Sequence, residues 1–193
     1  MRLFAAIDID EEIRISVTTY LERLSTMSPG NKWVSPESLH VTLKYIGETQ
    51  KLAEITLALK QIQGKPFSLS FRGVGFFTPR SPRVFWAGVA AQPALVQLAA
   101  TIDRSLSTLG VRNEEHEYSP HLTLARTGSG SPKASKADRS KPTMEALKTK
   151  VLASPDIQHP DFGTMHAKEF FLYQSETSPS GPRYTKLERF DLK

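Results

Sequence analysis

The chain has 193 residues, of which 39% are hydrophobic, and carries a formal net charge of +5 at pH 7. It contains no cysteine, which excludes disulfides, Cys-ligated zinc, iron–sulfur clusters and thiol catalysis. No apolar run approaches the roughly 18 residues that span a bilayer, so we expect no membrane association, and the basic charge fits an anionic partner such as nucleic acid.

The first half of the chain alternates predicted strands and helices. Its opening, MRLFAAIDIDEE, turns acidic after a few apolar residues, unlike a signal peptide, so we expect a first strand and a cytoplasmic protein. The patterns predict a strand at 2–9, a helix at Glu11–Met27, an extended piece at 33–34, a strand at 39–46 and a helix at 51–62.

The second half repeats this alternation less regularly. It predicts strands at Phe67–Phe77 and 84–90, a helix at 93–109, a strand at 122–125, a short helix at 143–151, and strands at 166–174 and 184–192. Residues 127–142 are rich in Gly, Ser, Lys and Pro and have almost nothing to bury. The sequence therefore predicts a flexible low-complexity loop there, centred on residues 128–141.

Two stretches, SLHVTLKYIGE and EYSPHLTLART, share the pattern His-x-Thr-Leu. Each is followed by a predicted helix and then by a pair of strands with a Pro- and Ser-containing turn between them. This imperfect repeat predicts an α/β (α+β) fold of two similar lobes within a single domain, 1–193. We expect the two motif strands, one from each lobe, to face each other across a central cleft.

Side chains alternate along a strand, so each motif offers an imidazole and a hydroxyl on one face. Alternation places His40, Thr42 and Lys44 together, and likewise His121 and Thr123. Strict alternation puts Arg126 on the opposite face, unless the strand ends or bulges near Ala125.

Two imidazoles in one cleft suit chemistry at a phosphodiester. One removes a proton from the attacking group and the other protonates the departing oxygen, which histidine can do near neutral pH. Threonine hydroxyls donate to phosphate oxygens, and Arg126 or Lys44 supplies the cation that stabilises charge on phosphorus. Metal is a poorer explanation, because neither motif brings a second ligand at metal spacing.

The two motifs resemble those of the 2H phosphoesterase superfamily. More narrowly, the chain resembles the bacterial and archaeal RNA 2′,3′-cyclic phosphodiesterases, also called 2′-5′ RNA ligases. The similarity covers nearly the whole chain. Its segments are RLFAAIDID, KWVSPESLHVTLKYIGE, FSLSFRGVGFF, VFWAGV, YSPHLTLAR and FFLYQSETSPSGPRYTKLERFDL. The loop at 128–141 departs from the family in being longer.

This resemblance implies a bilobal fold and hydrolysis of a 2′,3′-cyclic phosphate to a 2′-phosphate without metal or nucleotide cofactor. It implies that His40 is the general acid and His121 the general base, with the phosphate held by Thr42, Thr123 and Arg126. The implied substrate is RNA with a 2′,3′-cyclic phosphate end, tRNA fragments included. By microscopic reversibility the same site would form 2′-5′ bonds.

The sequence also leaves alternative functions and further substrate contacts open. The chain could act instead on a small cyclic nucleotide or another small cyclic phosphate, or bind RNA without catalysis; a monomer is the default expectation. Tyr118 is a further candidate for substrate contact, whereas alternation places Tyr45 in the core and Trp33 is expected to cap a lobe. The remaining histidines are expected at structural or surface positions.

Overall fold

The computed structural model describes residues 1–78, 80–90, 92–127, 144–178 and 181–193. The predicted flexible loop at 128–141 lies outside these described residues. In the described ranges, no helix has both the length and the apolar character needed to cross a membrane.

Within the described residues, nine strands form one antiparallel sheet. The strands are β1 (Arg2–Asp8), β2 (Lys32–Trp33), β3 (His40–Glu48), β4 (Phe67–Phe77), β5 (Val84–Val89), β6 (His121–Arg126), β7 (Asp161–Ala167), β8 (Glu169–Ser178) and β9 (Gly181–Asp191). Their spatial order is β7-β4-β5-β6-β3-β1-β8-β9, and the two-residue β2 pairs with β6. The mixed α/β architecture agrees with the fold predicted from the sequence.

Helices pack on one face of this sheet. They are α1 (Glu11–Met27), α2 (Leu52–Lys60), α3 (Pro93–Ser107), α4 (Met144–Leu152) and α5 (Pro155–Gln158), together with a 3₁₀ turn at Pro36–Ser38. Asp10 caps α1 by accepting a hydrogen bond from the Ile13 amide at 3.0 Å, and Pro93 opens α3 at a position where no amide hydrogen is needed. The capping side chain of Asp10 and the ring of Pro93 therefore set the starts of these two helices.

The link between β7 and β8 shows that the sheet is strongly curved. These strands lie near opposite ends of the strand order, yet only Lys168 separates them in sequence. Two residues of chain span at most about 7 Å, so the sheet must curve enough to bring its two ends together. The predicted single strand at 166–174 is wrong, because Lys168 divides this apolar run between two strands with different neighbours.

The two lobes meet where β3 lies beside β6. The four strands β7, β4, β5 and β6 form one lobe, and β3, β1, β8 and β9 form the other. The only residues paired between β3 and β6 are Val41 and Leu122, the residues that follow the two motif histidines. The motif strands are therefore antiparallel neighbours in one sheet, joined at a single residue pair and diverging beyond it. The prediction that they face each other across a cleft is wrong on this point, because they lie side by side.

The interior strand β1 is covered on both faces. Leu3, Ala5 and Ile7 belong to the main core under the helices. Phe4 and Ala6 point to the other face. There they form a small aromatic cluster with Phe171, Tyr173 and Tyr184. We call the face opposite the helices the cleft face, and this cluster forms part of its floor.

Candidate active site

Each motif histidine is the first residue of its strand and is oriented by the same backbone contact. The Nδ1 atom of His40 lies 2.8 Å from the carbonyl oxygen of Ser38, and Nδ1 of His121 lies 2.8 Å from that of Ser119. A carbonyl oxygen only accepts, so Nδ1 must carry the proton and donate it. Both rings therefore keep Nε2 free for chemistry, as an acceptor when neutral and as a donor when protonated.

Aromatic side chains hold each imidazole in place. The His40 ring lies 4.8 Å from the Phe4 ring and makes an edge contact with Tyr184 at 5.2 Å, both measured between centroids. The His121 ring meets Phe77 edge-on at 4.7 Å. Packed rings of this kind fix the imidazole orientation, which is what a positioned proton donor or acceptor requires.

Both imidazoles favour the neutral form in the free protein. Burial lowers the pKa of His40 to about 4, against the opposing influence of the Ser38 carbonyl and the Asp8 carboxylate. Burial also lowers the pKa of His121, and the positive charge of Arg126 lowers it further. The charges of Arg126 and His121 act on His40 as well, which shows that the two motifs share one electrostatic environment.

A bulge in β6 brings Arg126 to the cleft face. Pairing with β5 shifts by one residue, from Trp86 opposite Thr123 to Phe85 opposite Ala125, so Leu124 is an extra residue. Leu124 and Ala125 are both fully buried, and Arg126 then shares the face of Thr123. Its Nη2 lies 3.4 Å from the Thr123 hydroxyl oxygen. The strand thus has the irregularity near Ala125 that the sequence argument required.

A matching bulge in β3 takes Lys44 away from the cleft. Pairing with β1 shifts between Ala6 opposite Thr42 and Ala5 opposite Lys44. Ala5 faces the helices, so Lys44 does too, and its side chain is only 1% exposed. The expected placement of Lys44 beside His40 and Thr42 is therefore wrong, because the extra residue Leu43 reverses the alternation on which it rested.

Lys44 instead forms a buried anchor. Its ammonium lies 2.6 Å from a carboxylate oxygen of Asp103 in α3 and donates to the Arg112 carbonyl at 2.7 Å. It also contacts Glu114 at 3.1 Å. These partners belong to α3 and to the segment that leads into His121, so Lys44 ties the back of one motif strand to the approach of the other.

The structure also places the two tyrosines near the motifs, Tyr45 in β3 and Tyr118 before β6. Tyr45 was predicted to lie in the core, but the β3 bulge turns it outwards and its side chain is 53% exposed. Tyr118 is half-buried, and its hydroxyl donates to the Thr42 carbonyl at 2.8 Å. The structure therefore assigns to the Tyr118 hydroxyl a role in holding the β3 backbone; contact between its ring and substrate stays a prediction.

A cleft of about 530 Å³ opens beside the motifs. The residues lining it are Lys32, Trp33, Val34, Ser35, Ser38, His40, Thr123, Arg126, Thr127, Gly181, Pro182 and Tyr184. The cleft thus joins residues of both lobes, His40 from one and Thr123 and Arg126 from the other. His121 and Thr42 are not part of this lining, although their strand positions place them on the same face of the sheet.

Several residues of the site were not predicted from the sequence. The orienting carbonyls belong to Ser38 and Ser119, and the repeated Ser at two positions before each His was the available signal. Tyr184 comes from a distant segment, and no local pattern marks either Tyr184 or Lys32 as a site residue. Trp33 lines the cleft and donates from its indole to the Ser28 carbonyl at 3.1 Å, and its capping of a lobe stays a prediction.

The described part of the site contains no cluster of metal-binding side chains. Among the described residues, no three His, Asp or Glu side chains come together as ligands for an ion. In the part of the chain that the structure describes, the positively charged groups that line the cleft are Arg126 and Lys32, and none of the lining residues is a carboxylate. Such a cleft suits an anion held by guanidinium, ammonium and hydroxyl groups.

Comparison with known proteins identifies the family of this chain. A model of the 2′-5′ RNA ligase superfamily matches residues 11–152. A protein of Archaeoglobus fulgidus named RNA 2′,3′-cyclic phosphodiesterase is 38% identical over 99% of this chain and 100% of its own. One of the same name from Methanothermobacter thermautotrophicus is 34% identical over 100% and 99% of the two chains.

A solved structure extends the likeness to the fold. The crystal structure of E. coli LigT complexed with 3′-AMP matches with a TM-score of 0.75 and 28% identity, covering 99% of this chain and 97% of that one. The resemblance read from the motifs is confirmed. Because the family model matches most of the chain, and the relatives and the solved structure match nearly all of it, the chain belongs to the 2′-5′ RNA ligase superfamily, in the family of the RNA 2′,3′-cyclic phosphodiesterases.

Proposed function

We propose that this protein hydrolyses the 2′,3′-cyclic phosphate at the end of an RNA chain to a 2′-phosphate. The observation that carries the proposal is the matched orientation of the two motif histidines. Each donates from Nδ1 to a serine carbonyl two residues earlier, and each keeps Nε2 free. Family membership gives the proposal its substrate, since relatives over the whole chain are named for this activity.

The phosphate would occupy the cleft between the lobes. Arg126 presents a planar guanidinium already aligned with Thr123, so both can donate to non-bridging phosphate oxygens. Thr42 offers its hydroxyl from the neighbouring strand. These donors stabilise the negative charge that builds up on the oxygens of phosphorus in the transition state.

Hydrolysis then needs two proton transfers. Nε2 of His121 takes a proton from water as the water oxygen bonds to phosphorus. The bond between phosphorus and O3′ breaks, and protonated Nε2 of His40 gives its proton to O3′. The products are a 2′-phosphate and a free 3′-hydroxyl, and the two histidines exchange protonation states before the next turnover.

The surroundings of the rings support this division of roles. The nearby carboxylate of Asp8 favours a protonated His40, against the dominant influence of burial on its pKa. His121 has the cation Arg126 nearby, which favours its neutral form. A bound anionic phosphate adds the negative charge that His40 needs to hold its proton.

Other parts of the proposal follow from the same site. When the 5′-hydroxyl of a second RNA attacks phosphorus in place of water, the same bond to O3′ breaks and a 2′-5′ bond forms, although water should dominate by concentration. We expect residues 1–193 to act as one catalytic domain, as a monomer in the cytoplasm, without metal or cofactor. A small cyclic nucleotide is the alternative substrate.

The direct test is turnover of an oligoribonucleotide with a 2′,3′-cyclic phosphate end, in the presence of EDTA. We expect the end to become a 2′-phosphate, which is distinguished from a 3′-phosphate by phosphorus NMR. Adenosine 2′,3′-cyclic phosphate serves as the parallel substrate for the small-molecule alternative. If neither substrate is hydrolysed, or if EDTA abolishes turnover, the proposal is wrong.

The lowered histidine pKa values predict an acidic optimum for kcat/KM, which reports the free enzyme. The productive form has His40 protonated and His121 neutral. His40 loses its proton as pH rises through its pKa of about 4, and His121 gains one as pH falls through its own lowered pKa, so the productive fraction is greatest between these two pKa values. The kcat/KM optimum should therefore lie below pH 6.5, the ordinary histidine pKa.

The optimum of kcat should lie at higher pH than that of kcat/KM. Bound phosphate is anionic, so it raises the pKa of both imidazoles in the complex. Measuring both parameters from about pH 4 to 9 checks the two statements together. A kcat/KM that still rises above pH 7 would contradict the proposed protonation states.

A further inference from the structure

We propose that Lys32 forms a second phosphate subsite, which binds the phosphate on the 5′ side of the nucleotide that carries the cyclic end. The inference rests on the proposed function and names its substrate class more narrowly. The preferred substrate is then a nucleotide with a 5′-phosphate or phosphodiester, as in an RNA chain, rather than a free nucleoside cyclic phosphate.

The register of β2 places Lys32 next to Arg126. These two residues are direct partners across the antiparallel pair of β2 and β6. Partners of this kind have Cα atoms about 5 Å apart and point to the same face. Ala125, the partner of Trp33, belongs to the buried core on the other face. Lys32 therefore stands beside Arg126 on the cleft face.

The short strand that carries Lys32 is firmly held. The Val34 amide donates to the Leu124 carbonyl at 2.9 Å, and the Trp33 indole donates to the Ser28 carbonyl at 3.1 Å. Asn31 is buried and donates to the Ser28 hydroxyl at 2.8 Å. A two-residue strand fixed on both sides gives Lys32 a defined position at the rim of the cleft.

The charge of Lys32 is available for a ligand. Its side chain is exposed and forms no ion pair or hydrogen bond with the described residues. It lines the same cleft as His40 and Arg126, and the described part of the chain contributes no carboxylate to that lining. Many other surface cations of the chain have carboxylate partners, as Lys60 has with Glu188 at 3.1 Å.

The chemistry of the substrate explains why two adjacent cations are useful. If Arg126 holds the cyclic phosphate, the next negative charge along RNA is the phosphate on O5′ of the same nucleotide, one ribose away. A nucleoside 2′,3′-cyclic phosphate lacks that group. An ammonium on a flexible stem beside Arg126 can reach it without entering the space around the reacting phosphorus.

Three substrates separate the contribution of this phosphate. The first is adenosine 2′,3′-cyclic phosphate, and the second is the same compound with a 5′-phosphate. The third is a dinucleotide whose 3′-terminal residue is adenosine 2′,3′-cyclic phosphate. For the wild type we expect kcat/KM to be about tenfold higher for the two substrates with a phosphate at O5′, in line with one charge-assisted contact. Lys32→Ala should bring this ratio close to one, and Lys32→Arg should keep most of it.

Salt dependence and a matched control complete the test. Plotting log kcat/KM for the dinucleotide against log salt should give a slope that is shallower by about 0.7 in Lys32→Ala, as expected on losing one single-strand phosphate contact. Lys65→Ala removes an exposed lysine outside the cleft lining and should leave ratio and slope as in the wild type.

The outcomes distinguish this inference from the proposed function. A wild-type ratio near one, or a ratio that persists in Lys32→Ala, overturns the subsite. An equal loss on all three substrates in Lys32→Ala also overturns it, because Lys32 would then serve the reacting phosphate. If the wild type hydrolyses none of the three substrates, the proposed function itself has failed.

Discussion

Replacing either motif histidine should lower kcat/KM on a cyclic-phosphate-ended oligoribonucleotide by about 10²- to 10⁴-fold, the usual value of one positioned proton transfer. We choose His40→Gln and His121→Gln. Each ring is the only titratable group in its motif, and each is held for one task by a backbone carbonyl and packed aromatic rings. The double variant should lose less than the product of the two single effects, because the groups act as a unit.

The acid and the base can be told apart by the leaving group. An aryl phosphodiester such as bis(4-nitrophenyl) phosphate expels a weakly basic phenolate, which needs little help from an acid. If His40 is the acid, His40→Gln should retain a larger share of wild-type activity on the aryl ester than on RNA. His121→Gln should lose activity on both, since water still has to be deprotonated.

Two exposed histidines provide the matched control. His116→Gln and His159→Gln change the same residue type at exposed positions outside the cleft lining, and should leave kcat/KM within about twofold. Thermal unfolding of all four variants separates chemistry from folding. Turnover that survives either motif substitution in a folded protein would reject the two-histidine mechanism.

Much of this fold could be predicted from periodicity, and the failures have identifiable causes. Glu11–Met27 and Phe67–Phe77 match their predicted bounds, because a helical stripe and a β-rich run each have one stable interpretation. The apolar run at 166–174 also looks like one strand. What divides it at Lys168 is the closure of a curved sheet, which depends on strands far away in sequence.

The bulges in β3 and β6 have the same geometry, but only one of them is visible in the sequence. In β6 the extra residue puts Leu124 and Ala125 side by side in the core, and two adjacent apolar residues hint at broken alternation. In β3 the equivalent buried residue is Lys44, whose charge makes the sequence look regularly alternating. Strand alternation therefore allowed Arg126 at the site only if the strand was irregular, and it wrongly predicted Lys44 on the same face as His40. The carboxylates that make a buried lysine tolerable lie 59 and 70 positions later, at Asp103 and Glu114.

Replacing Lys44 should damage stability rather than phosphate binding. Lys44→Ala removes a buried ammonium that contacts Asp103, Glu114 and the Arg112 carbonyl. Losing one partner of a buried pair costs about 3–5 kcal/mol, and the partial exposure of the Asp103 side chain, 21%, reduces this to about 3 kcal/mol. At about 2–4 °C per kcal/mol for a chain of this size, Tm should fall by about 6–12 °C.

A second substitution separates charge from packing. Lys44→Met keeps most of the side-chain volume but leaves Asp103 without its cation, so it should remain destabilised. Adding Asp103→Asn should cost less in the Lys44→Met background than in the wild type, since the unpaired carboxylate is then removed. This double-mutant cycle measures the coupling directly and should give about 1–3 kcal/mol.

Kinetics at a temperature well below the lowered Tm then decide the role of Lys44. A lysine that held the phosphate would raise KM or lower kcat by tenfold or more when replaced, with Tm unchanged. A lysine behind β3 should do the reverse: Tm falls, whereas kcat/KM stays within about threefold because His40, Thr123 and Arg126 keep their places. Since Lys44 and Tyr118 both tie the segment before His121 to β3, any kinetic loss that does appear should grow with temperature as that segment loosens. A temperature-independent loss of activity in a variant as stable as the wild type would indicate that Lys44 holds the phosphate. It would contradict the placement of Lys44 on the helix side of β3.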